Sequence, residues 1–264
     1  MIESVWGLLL VGALVASVSM ALLWGLAVRI GDASHVDVAW AMLIATCAAL
    51  YAVLADGDGA HRLLAALVAG VWGYRLGLYL LFDRVLGKPE DGRYRTLREK
   101  WGPRVNRNLF WFFQFQAAFV VFFSLPFALM AQDPADGLGL VEWLGVAVGA
   151  IGNAGVIVSD WQLARWRGSP ENAGKTARAG LWSWSRHPNY FFEFVTWCGV
   201  ALAATAAPWG WVAWIVPAGL LALLFRLTGI PATEAHALTS RVDYAEYQRT
   251  TSVFVPLPPK RSTS

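Results

Sequence analysis

Charged residues are scarce in this chain. Of its 264 residues only 15% are Asp, Glu, Lys or Arg, whereas 57% are hydrophobic, and the mean hydropathy is +0.47. This is more apolar side chain than one soluble core of that size needs, so the composition argues against an ordinary soluble protein. We expect the surplus to face lipid.

Cysteine is also rare, and its spacing excludes the usual thiol sites. Cys47 and Cys198 both lie in apolar stretches, with no CxxC pair and no metal-ligand spacing. We interpret both as small core residues and expect no metal site. The N-terminal sequence MIESVWGLLL lacks a positive n-region and a small-residue cleavage site, so we interpret it as a retained first span.

Long apolar stretches recur along the sequence. A helix needs about 20 residues to cross about 30 Å of hydrocarbon, and these stretches are too long and unalternating for barrel strands. We therefore predict an all-α, polytopic membrane helix bundle of about seven transmembrane helices. The last two spans are alternatively one re-entrant hairpin, because only residues 207–209 separate them. The predicted spans are 3–29, 36–55, 62–83, 109–131, 139–164, 190–207 and 209–228.

Basic residues gather in alternate loops. They concentrate in residues 84–107 and 165–186 and again after residue 226, whereas the opposite loops, DGDGAH and DPADG, are acidic. An odd number of spans puts every basic segment on one face, which the positive-inside rule makes cytoplasmic. We expect the N-terminus outside, the C-terminus in the cytoplasm and one membrane domain over 1–264. Topology explains the positive charge, so no nucleic acid is expected as a partner.

Ionisable side chains at membrane depth are costly and usually mark a site or a partner. Asp37 and Trp40 share one face at the start of span two, where a first-turn carboxylate stabilised by the helix dipole is the alternative. We expect Arg75 to face a polar cavity, because a guanidinium without a partner in lipid is costly. It belongs to a stripe along span three that comprises Trp72, Arg75, Tyr79 and Asp83, with Tyr74 beside it.

The end of span five carries a carboxylate followed by two arginines. Asp160 and Arg167 lie seven residues apart on one helix face, about two turns. With Arg165 they suit a ligand that has phosphates on one part and hydroxyls or an amide on another. A helix end with interfacial arginines is the alternative.

The segment GLWSWSRHPNYFFE opens span six. Pro188 fits the first helical turn, which puts Asn189 and Glu193 one turn apart on one face, where they need partners. After Pro231 an amphipathic stretch is rich in hydrogen-bonding groups, and a solvated terminal helix is the alternative for it. Its polar residues are Glu234, His236, Arg241, Tyr244, Tyr247 and Arg249.

These segments resemble the steroid 5-alpha-reductase family. GLWSWSRHPNYFFE and the later PATEAHALTSRVDYAEYQRTTSVFVPLPP place its C-terminal motifs in residues 180–258. Three earlier segments are similar to the bacterial branch of this family, the DUF1295 membrane proteins: VDVAWA, VWGYRLGLYLLFDRVLGKPEDGRYRTLREKWG and NLFWFFQFQ. The resemblance therefore runs from about residue 35 onward. S-adenosylmethionine-dependent membrane methyltransferases of the isoprenylcysteine and phospholipid type share RHPxY and are the alternative. They usually carry Glu-Glu where this chain has Thr233-Glu234.

The resemblance implies an NADPH-dependent oxidoreductase that reduces the C=C bond of a conjugated enone in a steroid-like lipid. The substrate would enter from the bilayer of a bacterial inner membrane, and the cofactor site would face the cytoplasm. The residues implied for the cofactor are Arg75, Arg84, Asp160, Arg165, Arg167, Arg178, Arg186, His187, Asn189, Tyr190, Glu193, His236, Arg241, Tyr244 and Tyr247. Trp40, Trp72 and Gln116 are the implied substrate contacts.

The family's proton-donating pair is a Glu near the start of one early span and a Tyr on the next. Here Asp37 lies near the Glu position, whereas Trp72 falls at the Tyr position with Tyr74 two residues on. Asp37, as a carboxylic acid kept neutral, and Tyr74, as a phenol, are therefore the candidate catalytic residues. We also expect Arg167 or Arg178 to pair with the extra phosphate of NADPH.

Overall fold

The computed structural model describes residues 1–226 and 229–260. Residues 227 and 228, which end the predicted seventh span, and the C-terminal residues 261–264 lie outside the described residues. The described part is helical throughout apart from connecting turns and two isolated β-bridges, which confirms the all-α prediction. The α-helices are α1 (Val5–Ile30), α2 (His35–Leu54), α3 (Gly59–Leu80), α4 (Gly92–Trp101), α5 (Val105–Ala131), α6 (Leu140–Arg167), α7 (Pro188–Ala204), α8 (Ile215–Arg226), α9 (Ile230–Ser240) and α10 (Tyr244–Thr250).

Among the described residues, six helical segments are long and apolar enough to cross a membrane. They are Val5–Ile30, His35–Leu54, Gly59–Val85, Gly92–Ala131, Leu140–Arg167 and Gly210–Ser240. The predicted sixth span corresponds to α7, which has 17 residues and starts at Pro188 as expected. The polytopic membrane helix bundle is therefore confirmed, while the count of seven and the orientation of the termini stay predictions.

The chain divides into two compact units. Unit 1 comprises Met1–Leu140 and Ala204–Ala213, and unit 2 comprises Val141–Ala203 and Trp214–Ser264. The single domain over 1–264 stays a prediction.

Unit 1 pairs its interior polar groups between helices. The Tyr51 hydroxyl on α2 lies 3.0 Å from the Ser124 hydroxyl on α5, and both side chains are buried. The Ser17 hydroxyl on α1 donates to Gln114 Oε1 on α5 at 2.7 Å. Cys47 is fully buried between these groups, in agreement with its interpretation as a core residue. Such hydrogen bonds hold helices together where the surroundings offer no water.

In unit 2 a glycine lets α6 and α7 touch backbone to backbone. A Cβ at Gly152 would lie 2.8 Å from the Phe192 carbonyl oxygen and even closer to the Thr196 amide nitrogen. Small residues permit this approach of membrane helices. The two helices run antiparallel. Asp160 lies eight residues after Gly152 on α6, and Asn189 lies seven residues before Thr196 on α7, so the Gly152 contact brings Asp160 and Asn189 together.

Candidate functional site

A polar pair joins α6 to the start of α7. Asn189 Nδ2 donates to Asp160 Oδ1 at 3.2 Å, and Asn189 Oδ1 accepts the Tyr190 amide at 3.0 Å. One turn later, Glu193 Oε1 accepts the indole N–H of Trp197 at 3.0 Å. Asp160, Asn189 and Glu193 are all partly buried. The partners that Asn189 and Glu193 were expected to need are therefore present.

The carboxylate of Glu234 connects the RHPNY segment to the tail. Its Oε1 accepts Arg186 Nε at 2.7 Å and lies 3.2 Å from His187 Nε2, and its Oε2 accepts Gln248 Nε2 at 2.8 Å. Arg186 Nη1 also donates to the carbonyl oxygens of Gln248 and Thr251. We call Arg186, His187, Glu234 and Gln248 the Glu234 cluster. The tail is therefore paired with the RHPNY segment, and the alternative of a solvated terminal helix is wrong.

Three tyrosines lie against this junction. The Tyr190 ring stacks on His187 with centroids 5.3 Å apart. The Tyr247 hydroxyl donates to the carbonyl oxygens of Trp182 and Ser185. Tyr244 and Tyr247 are buried, and burial raises the pKa of Tyr244 to about 12, so its phenol is neutral at physiological pH.

Arg178 pairs with the other side of the tail. Its guanidinium lies 3.1 Å from Glu246 Oε2, donates to the Asp243 carbonyl oxygen at 2.6 Å and lies over the Tyr247 ring. Thr176 donates to Asp243 through its amide and its hydroxyl. Burial raises the pKa of Asp243, but these hydrogen bonds outweigh it and hold the pKa below its usual value. Arg178 therefore already has ion-pair and hydrogen-bond partners within the protein.

Two adjoining cavities lie at the C-terminal end of α6. One has a volume of about 340 Å³ and is lined by Trp161, Gln162, Arg165, Trp166, Ser169, Asn172, Ala177, Ala179, Gly180 and Trp182. The other, of about 290 Å³, is lined by Leu163, Trp166, Arg167, Ser169, Pro170, Asn172, Ala173, Gly174, Lys175, Ala177, Ser240 and Arg241. The predicted residues Arg165, Arg167 and Arg241 thus line cavities. His236 lies on the exposed side of α9.

In unit 1, Asp37 accepts hydrogen bonds at both carboxylate oxygens. Arg93 Nη2 donates to Oδ2 at 2.7 Å, and the buried Tyr94 hydroxyl donates to Oδ1 at 2.8 Å. Arg93 also pairs with Asp91 at 3.1 Å. These contacts tie α4 to the start of α2, and the proton-donating role of Asp37 stays a prediction.

The predicted substrate residues Trp40 and Trp72 contact each other. Their rings meet edge to face with centroids 5.9 Å apart, and Trp40 meets Phe123 in the same way at 5.4 Å. Trp40 Nε1 is buried and has no hydrogen-bond partner among the described residues. Tyr74, in contrast, is 44% exposed, with its hydroxyl 3.5 Å from that of Thr46.

The remaining predicted residues of unit 1 are more dispersed. Arg75 is partly buried on α3, one turn beyond Trp72, and Gln116 is partly buried on α5. Arg84 is exposed in the π-helical turn that follows α3, and its Nη1 lies 3.9 Å from Asp91 Oδ2.

Sequence reasoning missed Tyr94 and Lys175 as candidates. Tyr94, Leu97 and Trp101 follow an i, i+3, i+7 pattern, which marks the inward face of α4 and would have indicated Tyr94. Lys175 was counted only as one of many loop cations. No local pattern shows that it shares a cavity with Arg167 and Arg241.

We predict that Glu234→Gln destabilises the protein far more than Glu246→Gln. The first change leaves Arg186, whose side chain is 12% exposed, without its counter-charge, which costs about 3 kcal/mol. The second removes a partner from an ion pair whose carboxylate is 46% exposed, and such pairs contribute less than about 1 kcal/mol. Thermal unfolding of the two purified variants measures the difference. An equal loss of thermal stability in the two variants would contradict the structural role of the Glu234 cluster.

Comparison with known proteins agrees with the sequence motifs. The chain is 29% identical over 134 residues to "3-oxo-5-alpha-steroid 4-dehydrogenase 1" of Rattus norvegicus, a match that covers 49% of this chain and 46% of that protein. The matched part thus spans less than half of the relative's length. No solved structure matches the chain. The family model described as "Protein of unknown function (DUF1295)" matches residues 23–251. The resemblance to the steroid 5-alpha-reductase family is therefore confirmed, and the chain belongs to the DUF1295 family.

Proposed function

We propose that this membrane protein is an NADPH-dependent reductase of the C=C bond of a conjugated enone in a steroid-like lipid. The observation that carries the proposal is the hydrogen bond between Asp160 and Asn189, with Glu193 one turn on. The resemblance implies cofactor contacts at these three positions. The name of the rat relative supports the reaction class.

The residues of unit 2 fit a dinucleotide in chemical type. The Asp160 and Asn189 pair offers acceptors and donors for ribose hydroxyls and an amide, in a part of the protein that is only partly open to solvent. The cavities at the end of α6 offer arginines for phosphates. When bound, the reduced nicotinamide would supply a hydride to the beta carbon of the enone, and a proton from water taken up at the alpha carbon would complete the saturated ketone. Under the positive-inside rule the arginines and the Asp160–Asn189 pair face the cytoplasm. We propose that the protein lies in a bacterial inner membrane.

Reduction of an enone builds negative charge on the carbonyl oxygen. A donor fixed at that oxygen stabilises the transition state more than the ground state. Trp40 Nε1 suits this task because it is buried, has no hydrogen-bond partner among the described residues and lies between aromatic rings. We propose that Trp40 binds the substrate carbonyl. Asp37, one turn earlier on α2 and held by Arg93 and Tyr94, is then a positioning residue.

We expect Trp40→Phe to lower turnover of an enone by about 100-fold, since one oxyanion donor is worth about 3 kcal/mol. The substitution keeps an aromatic ring and removes only the N–H donor. Tyr74→Phe is the matched control and should stay within a few-fold of the parent, because Tyr74 is largely exposed. Steady-state kinetics on both variants decide the point. A 100-fold loss in Tyr74→Phe with normal Trp40→Phe would return the role to the phenol.

The reaction class is tested by NADPH consumption in the detergent-solubilised protein with a panel of 3-oxo-Δ4 steroids and simpler enones. We expect consumption that depends on the enone, with the saturated ketone as the product detected by mass spectrometry. Parallel reactions contain S-adenosylmethionine and lipid acceptors. Methyl transfer together with no NADPH consumption would overturn the proposal in favour of a methyltransferase.

A further inference from the structure

The smaller cavity at the end of α6 is positively charged. This cavity has a volume of about 290 Å³ and is lined by three cationic side chains, those of Arg167, Lys175 and Arg241. No carboxylate of the described residues lines it. Within the described residues, none of the three forms an ion pair. Arg178 and Arg186, by comparison, are paired with Glu246 and Glu234. Convergent cations without a counter-charge favour binding of an anion, and phosphate oxygens are the acceptors that guanidinium and ammonium groups match.

The larger cavity is aromatic and shares a wall with the cationic one. Trp161, Trp166 and Trp182 line it, and Trp166 lines both cavities. The indole N–H of Trp182 is satisfied by the Ser159 carbonyl oxygen at 2.9 Å. The indole N–H of Trp166 is buried and has no hydrogen-bond partner among the described residues. A buried donor is normally paired, so Trp166 indicates an acceptor from a ligand.

A glycine forms the wall of the aromatic cavity nearest to α6. Gly180 has φ of 59°, and a Cβ there would lie 2.5 Å from Gln162 Nε2. The next amide, that of Leu181, donates to Gln162 Oε1 at 2.9 Å. The left-handed backbone at this position favours glycine, and the Gln162 side-chain amide occupies the space that a Cβ would take. The cavity is therefore a built feature of the fold.

We propose that these two cavities bind the adenosine 2′-phosphate of NADPH, with the nucleobase against the tryptophans and the phosphate between Lys175, Arg241 and Arg167. This assignment rests on the proposed function and deepens it, because it names the groups that select NADPH over NADH. It replaces Arg178, which the tail already engages, with Lys175, which the sequence did not single out.

A phosphate monoester also occurs on the headgroup of phosphatidic acid. The chemistry that the cations recognise is the same in both sources. The adjoining cavity favours the nucleotide, because Trp161, Trp166 and Trp182 line it and a nucleobase stacks on aromatic side chains.

The experiment is calorimetric titration of the full-length, detergent-solubilised protein with adenosine 2′,5′-bisphosphate and with 5′-AMP. We expect the bisphosphate to bind more tightly than 5′-AMP, and Lys175→Ala and Arg241→Ala each to weaken its binding about 10-fold or more, because each loses one charge-assisted contact. The affinity for 5′-AMP should not change. Arg249→Ala, an exposed cation that does not line either cavity, is the matched control.

Equal affinity for the two nucleotides, or unchanged bisphosphate binding in both cavity variants, would overturn the assignment. So would a Lys175- and Arg241-dependent association with phosphatidic acid nanodiscs that is accompanied by no bisphosphate binding. If the enone is reduced but the affinity for the bisphosphate is unchanged in both cavity variants, the assignment of the subsite is wrong and the proposed function stands. If the bisphosphate behaves as expected and no enone is reduced, the reductase proposal is wrong and the nucleotide site stands.

Discussion

A partly buried carboxylate has to be paired, and the pairing of Glu234 organises the C-terminal end of unit 2. Its two oxygens accept from Arg186 and Gln248, and His187 lies within hydrogen-bond distance. These contacts join the RHPNY segment to α9 and α10. Asn189 follows directly in the sequence and is thereby placed beside Asp160 on α6. The position of this polar pair thus depends on the contacts of the Glu234 cluster.

The arginines of unit 2 fall into two groups by this criterion. Arg178 and Arg186 are neutralised by tail carboxylates and hold the fold together. Arg167 and Arg241, with Lys175, line a cavity without a carboxylate among the described residues. Arginines of unit 2 are therefore ion-paired in one place and line a cavity without a carboxylate of the described residues in another. The positive-inside rule treats all of these cations alike and does not separate the two groups.

The helices could be predicted closely because lipid sets a minimum length and requires apolar side chains along it. The predicted spans 36–55 and 139–164 correspond to His35–Leu54 and Leu140–Arg167. Pairings across the sequence could not be predicted in the same way. Asp37 finds its partners 56 and 57 residues later, in a segment that composition marks only as basic. Nothing in the sequence around Asp37 indicates those donors.

The central claim is that the polar end of unit 2 binds a nicotinamide dinucleotide, and thermal unfolding with and without NADPH tests it most directly. A ligand that binds only the folded state stabilises it by about 2.7 kcal/mol at 100 times its dissociation constant. We therefore expect saturating NADPH to raise the melting temperature of the solubilised protein, and the shift to shrink in Asn189→Ala. No shift with NADPH, or a shift with S-adenosylmethionine instead, would contradict the account.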